Sequence, residues 1–280
     1  MIPFSWKRLP PAGTPIGLLA GGGQFPKILA ENAKQAGRPV ILFGIKDLTD
    51  HAIEPFVAEA HYFNLGSIAP ILEGLRASRV RHVLFAGSLP KKKIVDPKFH
   101  ADGAARDFFK KSKSRGDDGL LRAFEVYLRV KCGVSVLDGR LFLKDALCPK
   151  GILTRRKPTA SEWADLRFGL KIARGIGKMD IGQTVVIKEG IVLAVEAIEG
   201  TDAALRRGGE LGYGDAVMVK ASKPNQDLRF DLPCVGVRTL ENLKRASSKV
   251  IGLEAGKTIL IGKKDIVEVA DEAGLTLVGL

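Results

Sequence analysis

The chain has 280 residues and a mass of 30.1 kDa, a length that favours two modest domains or one large α/β domain. Hydrophobic residues make up 45% and charged residues 27%, which is enough apolar surface for a core and excludes a disordered chain. Lys and Arg number 44 against 31 Asp and Glu, so the net charge of +13 predicts an anionic partner.

No stretch of the sequence predicts a membrane-spanning helix. The most apolar stretch, residues 185–197, is interrupted by Lys188, Glu189 and Glu196, whereas a span needs roughly 18 apolar residues. The apolar run near the start is too short for a secretory signal. The three cysteines are widely spaced, unlike those of a disulfide framework or a zinc site, so we expect free thiols and a cytoplasmic protein.

The first half of the chain alternates short apolar runs with amphipathic segments. Pro26 and Gly37 stand where the first helix should begin and end. Strands are predicted at 15–20, 39–45, 81–86 and 134–137, and helices at 26–35, 68–77 and 117–131. This alternation is typical of a parallel sheet covered on both faces, so residues 1–140 are predicted to form a Rossmann-like domain.

The second half, residues 141–280, is predicted to be a mixed α/β domain whose strand order the sequence leaves open. A linker is expected within 138–158, which is short on periodicity and holds Pro149, Gly151 and Pro158. The predicted helices are 159–175, 202–211, 240–249 and 264–273. The predicted strands are 184–187, 191–197, 216–220, 235–238, 258–261 and 275–278, the first two forming a hairpin.

The basic excess is concentrated in residues 91–115, which contain nine Lys or Arg, three Asp and three interleaved Phe. Nucleic acid, a phosphorylated small molecule and an anionic membrane surface all suit such a segment, and so does a solvated basic face without a ligand. No helix-turn-helix, zinc-finger or RNP-type signature accompanies it. We therefore expect no nucleic-acid partner.

Three consecutive glycines, Gly21, Gly22 and Gly23, follow the first predicted strand. A glycine-rich turn before a helix exposes backbone N–H groups, which suits phosphate. The spacing is not the dinucleotide fingerprint, because Pro26 stands where the third glycine belongs. Asp47, after the second strand, is either a ribose-binding acid or a solvated loop acid. A Walker A sequence is absent, which argues against an ATP-driven enzyme.

Glu196, Glu199 and Asp202 lie at spacings of three near the end of a predicted strand. Three carboxylates at a strand-to-helix connection can hold Mg²⁺ or position a water, while Thr201 can cap the helix. An exposed acidic loop with a helix cap is the alternative interpretation.

The segment KASKPNQDLRFDLP, residues 220–233, is unusually dense in charge. If it is extended, Asp227 and Arg229 point to the same side. Lys and Arg can then neutralise phosphate oxygens while a carboxylate holds a metal or water, as hydrolysis of a phosphoric anhydride requires. An ion-paired surface loop is the alternative.

Five segments together resemble the LpxI-type UDP-2,3-diacylglucosamine pyrophosphatases. They are IGLLAGGGQFP (16–26), FAGSLPKK (85–92), SRGDDGLL (114–121), MDIGQTVVIKEGIVLAVEAIEGTDAAL (179–205) and KPNQDLRFDLPCVGVRTL (223–240). The last two are long and specific. The resemblance runs from Ile16 nearly to the last residue and leaves residues 1–15 without a counterpart.

The resemblance implies a Mg²⁺-dependent bacterial hydrolase of lipid A biosynthesis. Such an enzyme cleaves UDP-2,3-diacylglucosamine into UMP and 2,3-diacylglucosamine 1-phosphate (lipid X). The resemblance also implies two α/β domains joined by a linker, a homodimer, and a cytoplasmic protein that acts peripherally at the inner-membrane surface. An anionic lipid substrate would account for the basic residues 91–115.

The essential aspartate of the family falls on the QDxRFD motif, here Asp227, which we expect to hold metal or position water. Lys223 and Arg229 are expected to neutralise phosphate oxygens. The residues expected to contact substrate are Gly21, Gly22, Gly23, Ser88, Lys91, Gln226 and Thr201. The residues expected to hold Mg²⁺ are Asp227, Glu196, Glu199 and Asp202, with Asp117 and Asp118 near nucleotide or metal. A dinucleotide-dependent oxidoreductase of the NAD type and a non-enzymatic module that binds anionic lipid or nucleic acid remain the alternatives.

Overall fold

A computed structural model describes residues 9–89, 99–112, 117–224, 227, 229 and 232–280, apart from the side chains of residues 117, 118 and 144. The chain divides into two compact units. The first unit comprises Met1–Lys144 and Asp227–Asp231, and the second comprises Asp145–Gln226 and Leu232–Leu280. The short segment that contains Asp227 therefore belongs with the first unit, although both of its neighbours along the chain belong to the second.

The first unit is built on a five-stranded sheet with the order β3-β2-β1-β4-β5. The strands are β1 (Ile16–Ala20), β2 (Val40–Ile45), β3 (Glu59–Phe63), β4 (His82–Ala86) and β5 (Ser135–Val136). Every pair of neighbours is parallel, which confirms the predicted Rossmann-like arrangement. Strand β3 was not predicted, because this edge strand is only partly covered and its sequence EAHYF lacks an apolar run.

Four helices of this unit fall within the described residues. They are α1 (Phe25–Gln35), α2 (Ala69–Ala77), α3 (Gly103–Lys111) and α4 (Asp117–Cys132). Helix α3 was not predicted, because the many charged residues of the basic stretch obscure its apolar positions. It begins where the Asp102 carboxylate accepts a hydrogen bond from the Ala105 N–H at 2.7 Å, and it buries Phe108 in the core.

The second unit contains a six-stranded sheet with the order β6-β13-β11-β9-β7-β8 and a separate parallel pair, β10 with β12. The sheet strands are β6 (Gly151–Ile152), β7 (Thr184–Lys188), β8 (Ile191–Val195), β9 (Val217–Lys220), β11 (Val250–Leu253) and β13 (Thr276–Gly279). The pair is β10 (Cys234–Val235) and β12 (Ile259–Leu260). Strands β9, β11 and β13 are parallel, whereas β6, β7 and β8 join antiparallel. The mixed α/β class and the β7–β8 hairpin are as predicted.

Four helices cover this sheet: α5 (Ala160–Lys178), α6 (Thr201–Leu211), α7 (Val237–Arg245) and α8 (Lys263–Glu272). Helix α5 confirms its predicted amphipathic pattern, with Leu166 and Ala173 buried and Trp163 packed against the same cluster. It starts with a capping box, in which Thr159 and Glu162 each accept from the other's backbone N–H.

Two predictions in the second unit were wrong. The expected strand 235–238 extends no further than Val235, because Val237 already begins α7. The expected helix 240–249 ends at Arg245, and Val250 starts the unpredicted strand β11. Gly252 weakens the strand signal there, yet the structure requires it, since a Cβ at this position would lie 2.5 Å from Leu166 Cδ2.

No disulfide joins Cys132, Cys148 and Cys234, as expected, although only Cys148 is fully buried. None of the described helices combines the length and the apolar character that crossing a membrane requires.

The turn after β1 and the loop after β4 are in backbone contact, and this contact generates a stability prediction. A Cβ on Gly21 would lie 2.5 Å from the carbonyl oxygen of Ser88, which is backbone and cannot rotate away. Gly21→Ala should therefore lower the free energy of unfolding by about 1–3 kcal/mol, measured by urea denaturation.

Gly103→Ala is the matched control, because nothing lies within 4 Å of a Cβ there. It should change the free energy of unfolding by no more than about 0.5 kcal/mol. Equal stability of the two variants would show that the contact at Gly21 is not tight.

Candidate functional site

Several of the residues expected to contact substrate lie at the carboxyl edge of the sheet in the first unit. Strand order places β1 between β2 and β4, so the chain reverses its direction of strand addition beside β1. Ligands of open α/β sheets bind outside the carboxyl ends of the strands at such a switch point. Gly21–Gly23 follow β1 and Ser88 follows β4. These four residues, which were expected to contact substrate, therefore lie at the switch point.

Backbone hydrogen bonds join the glycine turn to the loop after β4. Gly22 and Ser88 exchange two bonds of 2.9 and 3.0 Å, and the Gly21 N–H donates to the Ala86 carbonyl at 2.8 Å. The N–H groups of Gly21 and Gly22 are thus committed to the protein, contrary to the expectation that they face phosphate. These two glycines serve close backbone approach, whereas Gly23 has a φ of 92° and open space around its Cα.

Some of the other residues that were expected at the site lie outside the described part of the chain. Lys91 and Gln226 lie outside the described residues, as do the side chains of Asp117 and Asp118, whose backbone begins α4. Asp47 is exposed and has a φ of 58°, which is the left-handed conformation of a tight turn.

Asp227 is held by Arg229. The Arg229 Nε donates to Asp227 Oδ1 at 2.9 Å and Nη2 donates to Oδ2 at 2.6 Å, while the Arg229 backbone N–H also donates to Oδ1 at 3.1 Å. The other edge of the guanidinium reaches Glu125 on α4, with Nη1 to Oε1 at 2.8 Å and Nη2 to Oε2 at 2.9 Å. All three side chains are between 16% and 18% exposed, so solvent screens these charges little.

This arrangement keeps Asp227 ionised. Burial alone would raise the pKa of Asp227, but the hydrogen bonds and positive charge of Arg229, with a smaller effect of Arg122, hold it below its ordinary value. The hydrogen bond to Asp227, opposed by burial and reinforced by Glu125, raises the pKa of Arg229 further above its already high value. Arg229 is therefore a charged bridge between two carboxylates, and its expected role toward phosphate stays a prediction.

A second ion pair extends the cluster toward the sheet. Asp138 follows β5, and Arg140 donates to its two carboxylate oxygens from Nε at 3.0 Å and from Nη2 at 2.6 Å. The hydrogen bond to Asp138 is the main cause that raises the pKa of Arg140, burial opposes it, and the charge of Asp227 adds to it. Asp227 is thus electrostatically linked to the carboxyl end of β5.

In the second unit, a buried lysine lies at the carboxyl end of a parallel strand. Lys220 is the last residue of β9 and is 7% exposed. Its Nζ lies 3.5 Å from Thr201 Oγ1 and 3.3 Å from the Cys234 carbonyl, and Thr201 donates to Glu196 Oε1 at 2.9 Å. Among the described residues, the ammonium group of Lys220 therefore has two long contacts, and both are with neutral oxygens. Directly before β7, Gln183 Oε1 is buried and has no hydrogen-bond partner among the described residues.

The carboxylates expected to hold a metal do not converge. Glu199 pairs with Arg207 at 2.9 Å and Asp202 pairs with Arg238 at 3.1 Å. Helix α6 begins at Thr201, so Asp202 lies on its first turn while Glu196 faces back toward Thr201. Within the described residues no three His, Cys, Asp or Glu side chains form a possible metal-binding group. Glu196, Glu199 and Asp202 therefore do not form the three-carboxylate centre that their spacing suggested.

Lys223, which was expected to neutralise phosphate oxygens, forms an ion pair in the structure. It is buried, and its Nζ pairs with Asp180 Oδ1 at 2.5 Å. The basic stretch is likewise partly structural: of the phenylalanines within it, Phe108 is in the core and Phe109 packs edge-on against Phe99. Residues 91–98 and 113–115 of that stretch lie outside the described part of the chain.

Four residues of these clusters were not predicted: Glu125, Asp138, Arg140 and Asp180. Glu125 is 104 residues from Arg229 in the chain and lies within an ordinary amphipathic helix, so no local pattern marks it. Asp138 could have been noticed because it directly follows a predicted strand. Lys220 was included in the charge-dense segment, but its burial has no sequence signal.

Comparison with known proteins agrees with this two-unit architecture. The LpxI N-terminal domain matches residues 15–146, and the LpxI C-terminal domain matches residues 149–278. These two matches cover nearly the whole chain. The chain therefore belongs to the LpxI family.

One curated relative matches over almost its full length. The UDP-2,3-diacylglucosamine pyrophosphatase LpxI of Caulobacter vibrioides is 34% identical over 279 residues, covering 95% of this chain and 97% of that protein. A bifunctional purine biosynthesis protein PurH of Deinococcus radiodurans is 32% identical over 113 residues, which covers 34% of this chain and 21% of that protein. The second match is too short to bear on function.

Because the pKa of Asp227 is lowered, we expect its contribution to stability to depend on pH. A carboxyl group with a folded-state pKa below its unfolded value stabilises the fold above the unfolded pKa, and this contribution disappears as pH falls through the folded pKa. Asp227→Asn should therefore cost about 1–3 kcal/mol of unfolding free energy at pH 7 and progressively less below about pH 4. Urea unfolding across this pH range measures the difference.

Asp215→Asn is the matched control, since Asp215 is ion-paired with Lys249 at 2.7 Å but is 63% exposed. Its substitution should alter the unfolding free energy by less than about 0.5 kcal/mol at either pH. If Asp227→Asn lowers the unfolding free energy equally at every pH, the negative charge of Asp227 is not the cause of the loss.

Proposed function

We propose that this protein hydrolyses the diphosphate of UDP-2,3-diacylglucosamine in lipid A biosynthesis, releasing UMP and 2,3-diacylglucosamine 1-phosphate. Support comes from membership of the LpxI family and from a relative of that printed activity that matches over nearly its full length. The observation that carries the proposal is the ionised Asp227, which Arg229 and Glu125 hold in place at the QDxRFD motif.

Hydrolysis of a diphosphate adds water across one bridging P–O bond. A phosphorus gains the water oxygen, the bridging oxygen leaves with the bonding electron pair, and two phosphate monoesters result. A general base works best with a pKa near the operating pH, and the pKa of Asp227 is lowered. Asp227 is therefore better suited to orienting the attacking water or holding a cation than to removing a proton.

Magnesium is part of the proposal. Mg²⁺ is usually held by one or two carboxylates together with substrate phosphates and several waters, so it does not require a three-carboxylate centre. Asp227 provides an ionised carboxylate, and its Oδ2 accepts a single hydrogen bond, from Arg229, in the described part of the chain. Asp227 is the residue that would hold the ion, which when bound would offset negative charge on the diphosphate.

The second unit contains a candidate cationic group for binding substrate, the Lys220 ammonium. Lys220 is buried and contacts only neutral oxygens among the described residues, and Thr201 shares its hydroxyl with Lys220 and Glu196. A buried ammonium group with weak neutral partners attracts an oxyanion strongly, because little solvent screens it. We assign Lys220 and Thr201 the role of binding an anionic oxygen of the substrate. Lys223, in contrast, is paired with Asp180.

We also propose that the protein acts peripherally at the cytoplasmic face of the inner membrane and as a homodimer. Helix α4 exposes Val126 by 46% and Val130 by 75% beside the exposed Arg122 and Arg129, a combination typical of interfacial binding. Edge strand β8 exposes Ile191 by 64%, which suits pairing with a second copy. Flotation with anionic vesicles tests the first proposal and sedimentation equilibrium the second.

The activity is tested with UDP-2,3-diacylglucosamine as substrate. UMP and the acylated sugar phosphate should appear in equal amounts, a chelator should abolish their release, and excess Mg²⁺ should restore it. Intact substrate in the presence of Mg²⁺ would refute the hydrolase assignment, and turnover that persists with the chelator would refute the metal requirement.

Asp227→Asn should reduce UMP release at least about 100-fold, because the variant keeps the shape of the side chain but removes its charge. The folded state is verified by near-UV circular dichroism. Asp215→Asn removes an equivalent charge from an exposed ion pair and should retain activity within a factor of about two. A near-normal rate for Asp227→Asn would remove this residue from the mechanism.

Lys220→Met should lower kcat/KM at least about tenfold while leaving the unfolding free energy unchanged or higher, because an apolar side chain replaces a buried charge with weak partners. Lys178→Met, at an exposed position on α5, is the control and should leave both quantities unchanged. If Lys220→Met destabilises the fold without changing kcat/KM, the role of Lys220 is structural.

A further inference from the structure

Arg140 lies at the carboxyl edge of the first sheet, where open α/β sheets bind their ligands. It belongs to a short 3₁₀-helix, Gly139–Phe142, that follows β5. This helix is tied to α1, because the side-chain amide of Asn32 donates to the Phe142 carbonyl at 2.8 Å. Strand β5 is the neighbour of β4, after which Ser88 is exposed. Arg140 therefore lies on the same edge as the residues of the switch point.

One edge of the Arg140 guanidinium is held by Asp138. Nε donates to Oδ1 at 3.0 Å and to Oδ2 at 3.1 Å, and Nη2 donates to Oδ2 at 2.6 Å. The Arg140 backbone N–H also donates to Oδ1 at 3.0 Å. The Asp138 side chain is only 7% exposed, so the fold fixes its position. The guanidinium therefore has a defined orientation before a ligand binds, which lowers the cost of binding.

The opposite edge of the guanidinium is open. The hydrogen bonds of the Arg140 side chain within the described part of the chain all go to Asp138, from Nε and Nη2, and Nη1 is not an enclosed atom. The side chain is 29% exposed, so a ligand can reach it. In Arg229, by contrast, carboxylates meet both edges. Nη1 and Nη2 together form the planar fork that contacts two oxygens of a phosphate group.

Arg140 is also electrostatically coupled to Asp227, which belongs to the same unit. The hydrogen bond to Asp138 is the largest cause that raises the pKa of Arg140, burial opposes it, and the charges of Asp138 and then Asp227 add to it. Asp227 is the carboxylate proposed to orient water or hold a cation. A fixed positive group in its vicinity is suited to the negative charge of a phosphate group undergoing hydrolysis.

We propose that Arg140 binds a non-bridging phosphate oxygen of the substrate through Nη1 and Nη2, and that Asp138 is the residue that positions it. This inference rests on the proposed hydrolase function and adds a substrate-binding residue to it. A guanidinium that is already oriented stabilises charge on the phosphate oxygens without rearrangement while the P–O bond breaks. Arg140 donates hydrogen bonds throughout and transfers no proton, since arginine stays protonated in proteins.

Steady-state release of UMP from UDP-2,3-diacylglucosamine tests the role of Arg140. Arg140→Gln should lower kcat/KM at least about tenfold, because it removes the charge and the fork. Arg140→Lys should lower kcat/KM as well, since one ammonium group cannot hold Asp138 and present a planar fork to phosphate. Wild-type kcat/KM in both variants would overturn the proposal.

Arg155→Gln is the matched control. Arg155 also pairs with an aspartate, Asp271, at 3.2 Å, but its side chain is 78% exposed. Asp271 keeps the hydrogen bond from the backbone N–H of residue 155 at 2.7 Å in this variant. Arg155→Gln should therefore retain kcat/KM within a factor of about two. An equal loss in Arg155→Gln and Arg140→Gln would contradict a specific role of Arg140.

The two products carry the two phosphate groups of the substrate, so their binding locates the contact. Arg140→Gln should weaken product inhibition by UMP or by 2,3-diacylglucosamine 1-phosphate at least about tenfold. Weaker inhibition by either product supports a direct contact with phosphate. Unchanged inhibition by both products contradicts it, even if kcat is lower.

The positioning role of Asp138 is tested by combining substitutions. Asp138→Asn keeps an acceptor for the Arg140 backbone N–H but loses the charge that holds the guanidinium, so it should also lower kcat/KM. Adding Asp138→Asn to Arg140→Gln should cause no further loss beyond about twofold, because Asp138 acts through Arg140. Additive losses would contradict this role. The double variant leaves no buried carboxylate unpaired, so it replaces Arg140→Gln if that variant does not fold.

The same assay separates this inference from the proposed function. If the wild type does not release UMP in the presence of Mg²⁺, the proposed hydrolase function fails. If the wild type releases UMP and the Arg140 variants do so equally well, only the role of Arg140 fails.

Discussion

The fork of Arg229 between Asp227 and Glu125 is the interaction on which the rest of the candidate site depends. Both carboxylates are largely removed from solvent, and each would be unfavourable there without a fixed positive partner. The same guanidinium sets the orientation of Asp227 and keeps it ionised. It also ties a short segment from the second half of the sequence to α4 of the first unit, which makes the geometry of the carboxylate a consequence of folding rather than of a local motif.

The position of the polar clusters follows from the topology of the sheets. Parallel strands place all their carboxyl ends at one edge, and the residues that follow them leave the apolar core at the same place. The first unit gathers the glycine turn, Ser88 and Asp138 at its edge, and the second unit places Lys220 at the end of β9 and Glu254 directly after β11. Glu254 is nearly fully buried and is satisfied by Arg174, Lys257 and the Ser222 N–H, which marks it as a structural acid. Lys220 has no such charged partner among the described residues, and this difference separates an electrostatic anchor from a candidate ligand-binding group.

Patterns of hydrophobicity predicted the central strands and the amphipathic helices well, because burial on a sheet or one helix face imposes a period that a sequence displays. They failed at β3, where a half-covered edge strand does not need apolar residues, and at β11, where Gly252 is required by the approach of Leu166. The spacing of Glu196, Glu199 and Asp202 suggested a shared metal, but a corner between strand and helix turned them toward different partners. Charge density in a sequence reports where ionisable groups are, not which of them meet.

The sequence by itself determined the α/β class and the family resemblance, and it pointed to Asp227, since each of these depends on local periodicity or on a contiguous motif. Only the tertiary structure decided that Arg229 clamps Asp227, that Glu125 and Asp138 belong to the same cluster, and that the first glycine N–H groups are already bonded. The reason is physical: hydrogen bonds and ion pairs act over a few ångströms, and residues a hundred positions apart come within that distance only when the chain has folded.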